Sequence, residues 1–215
     1  MPTQIAIGAL LGLMGLTPFG PDGQFSLPFV LFLSIADTFV LIALMVLLTR
    51  AHGNSVRVLW LGDRPMAREA LLGALLVPAV FVMVVVVLNV LQLIAPWLHN
   101  VPTNPLEQLA ATPGQAAILA IVVILAGGVR EELQRAFLLH RFVHYLGGPV
   151  VGVILLSVAF GAGHWMQGWD AVLTTGLLGA FWAVLYLRRG SSVAPIVSHS
   201  GFNALEVLRV AIVGA

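Results

Sequence analysis

Three short clusters carry the polar chemistry of an otherwise apolar chain. In "GGVREELQRAF", residues 127–137, Glu131 and Glu132 stand side by side and Arg135 follows one turn later. On a helix Glu131 and Arg135 share a face at i,i+4, while Glu132 points about 100° away. One carboxylate can then be held by a guanidinium while the other looks into a different space. Two adjacent carboxylates also repel, so one holds its proton more tightly, which is how a general acid or base is made near neutral pH. The second cluster is Phe160-x-x-x-His164 and the third is His199-x-x-x-Asn203. Each pair again shares a helix face. Two imidazoles, a carboxamide and two carboxylates are the groups that activate a water and stabilise an oxyanion, or that bind a metal with one position left open.

Each group also has a plainer reading. Glu131 with Arg135, and Glu132 with Arg130, are possible as ion pairs that only lock a helix. A lone intramembrane histidine often just packs, and Asn203 alone reads as interhelical glue. Asp37, in the middle of an apolar run, is the one rival catalytic residue, and pairing with an arginine is its expected role. The convergence of three helices is what weighs against these structural readings.

The elements that must position these groups follow from composition. The 215 residues are 60% hydrophobic and 9% charged, with a mean hydropathy of +1.02. Soluble domains carry roughly a quarter charged residues. The chain reads as one integral membrane domain over 1–215, all-α, a polytopic helix bundle whose motif-bearing core covers about 114–213. A net charge of +1 and no run of like charges give no footprint for nucleic acid. The absence of cysteine excludes disulfides, thiolate metal sites and a cysteine nucleophile.

A helical span needs about 20 apolar residues. Six are expected, at Leu27–Leu48, Glu69–Ile94, Ala116–Leu139, Val150–His164, Ala171–Leu187 and Val193–Val213. An N-terminal re-entrant or interfacial helix precedes them, since "IAIGALLGLMGL" is too short to span and lacks the basic flank of a signal peptide. A short surface helix is expected at Pro105–Ala111. Arg50, Arg57, Arg64, Arg68, Arg141, Arg188 and Arg189 fall in alternate loops, whereas the other loops carry Asp22, Glu107 and Asp170. The positive-inside rule makes the Arg-bearing loops cytoplasmic. Trp60, Trp97, Trp165 and Trp169 read as interface anchors, and His52, His99, His140 and His144 as exposed loop residues. At about 1.5 Å per residue, His164 reaches the depth of Glu131 and His199 only if the fourth helix is tilted or recessed.

"EELQR", "FGAGH" and "HSGFN", in this order over about 75 residues, resemble the three motifs of the CAAX prenyl endopeptidase and abortive-infection family, the CPBP intramembrane proteases. Each motif alone is weak; all three on separate spans are fairly specific. The resemblance implies an all-α membrane endopeptidase in which Glu131 activates the attacking water and Glu132 and Arg135 position or tune it. His164, His199 and Asn203 would polarise the scissile carbonyl or hold a metal, and Phe160 would pack beneath them. Family members are described both as metalloproteases and as glutamate-dependent enzymes, so zinc on Glu131, His164 and His199 is one expectation. The implied partner is a membrane-embedded or lipidated peptide or protein substrate. The short, Arg-only chain looks bacterial, at home in the cell (inner) membrane. Two other classes stay in view: a non-catalytic scaffold or bacteriocin-immunity-type protein, and a proton-coupled transporter whose Glu and His form a relay.

Overall fold

Apolar runs long enough to cross a bilayer give the bundle its elements. The computed structural model describes residues 2–21 and 23–213. Asp22, counted above with the Arg-free loops, lies outside them. The described residues form nine α-helices: α1 (Pro2–Leu13), α2 (Leu27–Ala51), α3 (Val56–Leu61), α4 (Met66–Ile94), α5 (Pro113–Val122), α6 (Glu131–Tyr145), α7 (Gly148–Ala162), α8 (Trp169–Arg189) and α9 (Val193–Val213). Between α5 and α6 the chain stays helical through a π segment, Val123–Arg130. Each of the six expected spans is covered: α2, α4, the α5–π–α6 rod, α7, α8 and α9. The rod is started by Thr112, whose hydroxyl accepts from the Gln115 amide in a capping box. By length and composition three helical stretches can cross a membrane, Leu27–Ala51, Val56–Ile94 and Trp169–Arg189. The fifth expected span lies within a full-length helix, α8. The fourth is short, since α7 has 15 residues, about 22 Å against a hydrocarbon core of about 30 Å. The expected surface helix is a single 3-10 turn, Glu107–Ala110.

Helices pack closely where glycine lets them. A methyl group on Gly161 would overlap the Val172 carbonyl of α8, and one on Gly152 would lie 2.7 Å from Phe142 Cβ of α6. Small residues at such crossings are the usual means of bringing membrane helices together.

The Arg-bearing end of the bundle holds an element that the hydropathy pattern does not show. Helix α3 wedges under α6, with Leu59 and Trp60 buried against Met45, Leu133, Ala136 and Phe137. Trp60 is therefore not the interface anchor expected of it. Its indole N–H donates to the Leu133 carbonyl (3.2 Å), and its own carbonyl accepts from the Ser192 amide (2.8 Å). Trp97, Trp165 and Trp169 are exposed, as anchors should be. Gly62 ends α3 at φ +65°, ψ −159°, a conformation essentially confined to glycine, with its α-carbon against the Gly190 carbonyl. Gly62→Ala should therefore cost about 2 kcal/mol or more, from backbone strain plus overlap. Thermal unfolding in detergent should show a clear fall in midpoint, which an unchanged midpoint would contradict.

Candidate active site

The π segment sets the geometry of the site. Bonding from i to i+5 widens the helix and shifts the register of everything after it. Its "GGVR" end lies against α9, where a methyl on Gly128 would overlap Ser200 and one on Gly127 would run into the Asn203 carboxamide. The wider turn leaves carbonyls out of the regular ladder, and Asn203 Nδ2 donates to one of them, Val123 O, at 3.3 Å.

The two carboxylates separate as expected, but with different partners. Arg135 pairs with Glu132 at i,i+3, not with Glu131 at i,i+4. Both spacings are within reach on a helix, and packing decides between them. The Arg135 guanidinium lies 4.6 Å from the centroid of Phe160 and 5.8 Å from that of Trp182. That holds it on the side of α6 where Glu132 faces α9. Glu132 is fully enclosed, and its Oε1 also accepts from His199 Nδ1 at 2.8 Å. Glu131 instead takes Arg130 Nη2 at 3.1 Å and keeps 23% of its side chain exposed. Arg130 is fixed in turn by Asp37 of α2, which accepts from Nη1 at 2.6 Å, and by the Ala126 carbonyl on Nε. Asp37 thus pairs with an arginine, as expected. An Asp37–Arg130–Glu131 chain joins α2, the π segment and α6.

The two histidines are oriented through the same ring nitrogen. His164 Nδ1 donates to the Phe160 carbonyl at 2.9 Å, and His199 Nδ1 donates to Glu132. Since both acceptors are oxygens without hydrogen, each ring presents Nε2 for further chemistry. His199 is stacked on Trp182 at 3.8 Å between centroids and 15° between planes, and the Trp182 indole N–H donates to Ser198 Oγ. Trp182 was not singled out in the sequence. Nothing but its being an aromatic in the middle of a span marked it. The Phe160 ring touches both imidazoles, at 5.0 Å from His164 and 6.0 Å from His199. It packs beneath the cluster as the motif suggested.

Glu131, Phe160, His164, His199 and Asn203 all line one cavity of about 630 Å³, whose wall Trp182 and Arg130 also reach. Glu132 and Arg135 stand behind it and touch it only through His199 and Phe160. His164 reaches the cavity from just beyond the end of α7. The metal expectation fares differently. Among the described residues no three His, Asp or Glu side chains gather closely enough to hold a metal ion. Glu131, His164 and His199 therefore do not fit as a three-ligand zinc site in this arrangement, and no step below is routed through a metal.

No curated protein and no solved structure matches the chain. The stretch from α5 through Asn203 does match a family. Residues 113–205, which hold every motif residue named above, match the model of the family described as Type II CAAX prenyl endopeptidase Rce1-like, so the motif-bearing part of this membrane protein is similar to that family.

Proposed function

We propose that the chain is a single-domain intramembrane endopeptidase that cuts membrane-presented peptides or protein tails with a water activated by Glu131. The observation that carries this reading is the contrast between the neighbouring carboxylates. Glu132 is walled in by Arg135 and His199, whereas Glu131 keeps an open edge on the cavity and is aimed by Arg130. Glu131 takes a proton from water as the water oxygen attacks the scissile carbonyl. The developing oxyanion is met by donors along the wall. Asn203 Nδ2 has a second hydrogen beyond the one given to Val123, and the His199 ring lines the same cavity. His164 Nε2 is placed to contact the same substrate region. The amide C–N bond then breaks and the protonated Glu131 returns its proton to the leaving amine, so the net change is hydrolysis. The Arg-bearing loops would be cytoplasmic by the positive-inside rule, with the bundle in the cell membrane of a bacterium.

The test is cleavage of a panel of membrane peptides, prenylated and unmodified, by protein purified in detergent, read by mass spectrometry beside Glu131→Gln. A defined product from the wild type alone is expected, unchanged by a chelator. Equal product from both proteins would remove Glu131 as the base. A product lost on chelation and restored by zinc would return the metal reading. No product from any peptide would leave the scaffold reading in front.

A further inference from the structure

The His199 imidazole has two nitrogen-bearing edges and two faces, and the site has a use for both edges. Nδ1 is spent on Glu132 at 2.8 Å, and the ring lines the cavity while its side chain keeps only 5% exposure. A single hydrogen bond fixes one atom of a ring and tolerates a broad spread of angles, so the plane can still turn about it. The faces must supply the remaining restraint. Trp182 of α8 lies flat against one of them, 3.8 Å between centroids and 15° between planes. The other rings around the indole, Phe160 and Phe181, meet it at 78° and 65°, the edge-on packing common among core aromatics. A flat stack restrains the plane of an imidazole and occupies neither nitrogen.

The indole is itself fixed by its surroundings. It is 1% exposed and packs with Val80 of α4 and with Leu178, one turn earlier on its own helix. Its N–H donates at 2.9 Å to Ser198 Oγ, on the residue just before His199 in α9. Stack and hydrogen bond thus tie α8 to two consecutive residues of α9. The same ring lies 5.8 Å from the guanidinium of Arg135, the other partner of Glu132. Phe160 adds a perpendicular contact to the imidazole at 6.0 Å, and its own ring fits beside α8 because Gly179 has no side chain; a methyl there would lie 2.9 Å from Phe160 Cδ1.

We infer that Trp182 is a positioning residue for His199: its flat face keeps the imidazole turned so that Nδ1 stays on Glu132 and Nε2 stays free for the cavity. It acts through His199. A side chain that merely filled space would be replaceable by another apolar group of adequate volume. The inference rests on the endopeptidase reading only where it predicts a rate; the restraint on the ring stands apart from it.

The test compares Trp182→Phe, which keeps a flat face and loses the indole N–H, with Trp182→Leu, which stays apolar and loses the face. Should Trp182→Leu fail to fold, Trp182→Met, with its adaptable unbranched side chain, takes its place. Full-length protein in detergent, carrying isotope-labelled histidine, reports the state of each ring nitrogen by NMR, and His199→Gln identifies the His199 signals. Wild type and Trp182→Phe should hold a hydrogen on Nδ1 of His199. Trp182→Leu should show the averaged nitrogen shifts of a ring that exchanges between tautomers. In peptide cleavage Trp182→Leu should lower kcat by about 10²-fold, the usual cost of a small misplacement, with KM little changed, and Trp182→Phe should recover most of that loss. A folded Trp182→Leu or Trp182→Met whose His199 keeps its Nδ1 hydrogen, or whose kcat equals that of wild type, would overturn the inference. So would a Trp182→Phe that loses the hydrogen as fully as Trp182→Leu does. Loss of the hydrogen in Trp182→Leu alone, with no peptide cleaved by any of the proteins, would sink the endopeptidase reading and leave the positioning role in place.

Discussion

Glu131→Gln should lower peptide cleavage by about 10²–10⁴-fold, the usual worth of a general base, and leave the melting temperature nearly unchanged. Glu132→Ala should do the reverse in kind, by lowering stability first. Glu131 is partly exposed, and its loss leaves Arg130 still paired with Asp37. The stability cost should stay within about 1 kcal/mol, as for other partly solvated pairs. Glu132 is enclosed between two buried cationic or polar partners, Arg135 and His199. Removing it strands a buried guanidinium, a change that costs about 3–5 kcal/mol in comparable sites. It also frees the His199 ring to turn. Parallel measurement of cleavage and thermal unfolding on the two variants separates the roles. If Glu132→Ala unfolded no earlier than wild type while Glu131→Gln did, the assignment of base and brace would have to be exchanged.

Much of this arrangement could be read in the chain, and the reasons for the gaps are physical. Long apolar runs bounded by Pro, Gly and Arg placed helix at each of the six expected positions, because a bilayer imposes length and hydropathy together. The order of "EELQR", "FGAGH" and "HSGFN" brought the right helices to one cavity. The pairing of Asp37 with an arginine followed from the cost of a lone buried charge. The π segment was hidden because "VILAGGVR" has the composition of an ordinary apolar helix. Only the paired glycines hinted that another helix comes close there. Arg135 went to Glu132, where spacing alone favoured Glu131–Arg135, because Phe160 and Trp182 from other helices hold its guanidinium on that side. Helix α3 escaped because six residues, "VRVLWL", are too few to show a period, and it took Trp60 with it.

An effect on stability of the same size should come from the other buried pair. Asp37 is at 0% exposure with one oxygen on Arg130, so Asp37→Ala leaves a buried guanidinium with only the partly exposed Glu131 and the Ala126 carbonyl as partners. A loss of about 3–5 kcal/mol is expected, large enough to lower the yield of folded protein from membranes as well as the melting temperature. Activity would fall with it, which by itself says nothing about mechanism. The decisive variant is the double exchange Asp37→Leu with Arg130→Met. Apolar replacement of a buried ion pair at similar volume is often neutral or stabilising by about 1–4 kcal/mol, so the fold should return. Cleavage should not return, because Glu131 then faces the cavity without the guanidinium that aims its carboxylate. Its rate should remain well below wild type across the pH range in which wild type is active. A double variant that recovered both stability and cleavage would show that Arg130 serves only to hold α2 against the π segment. The orientation of Glu131 would then have to come from the continuous helix that carries it.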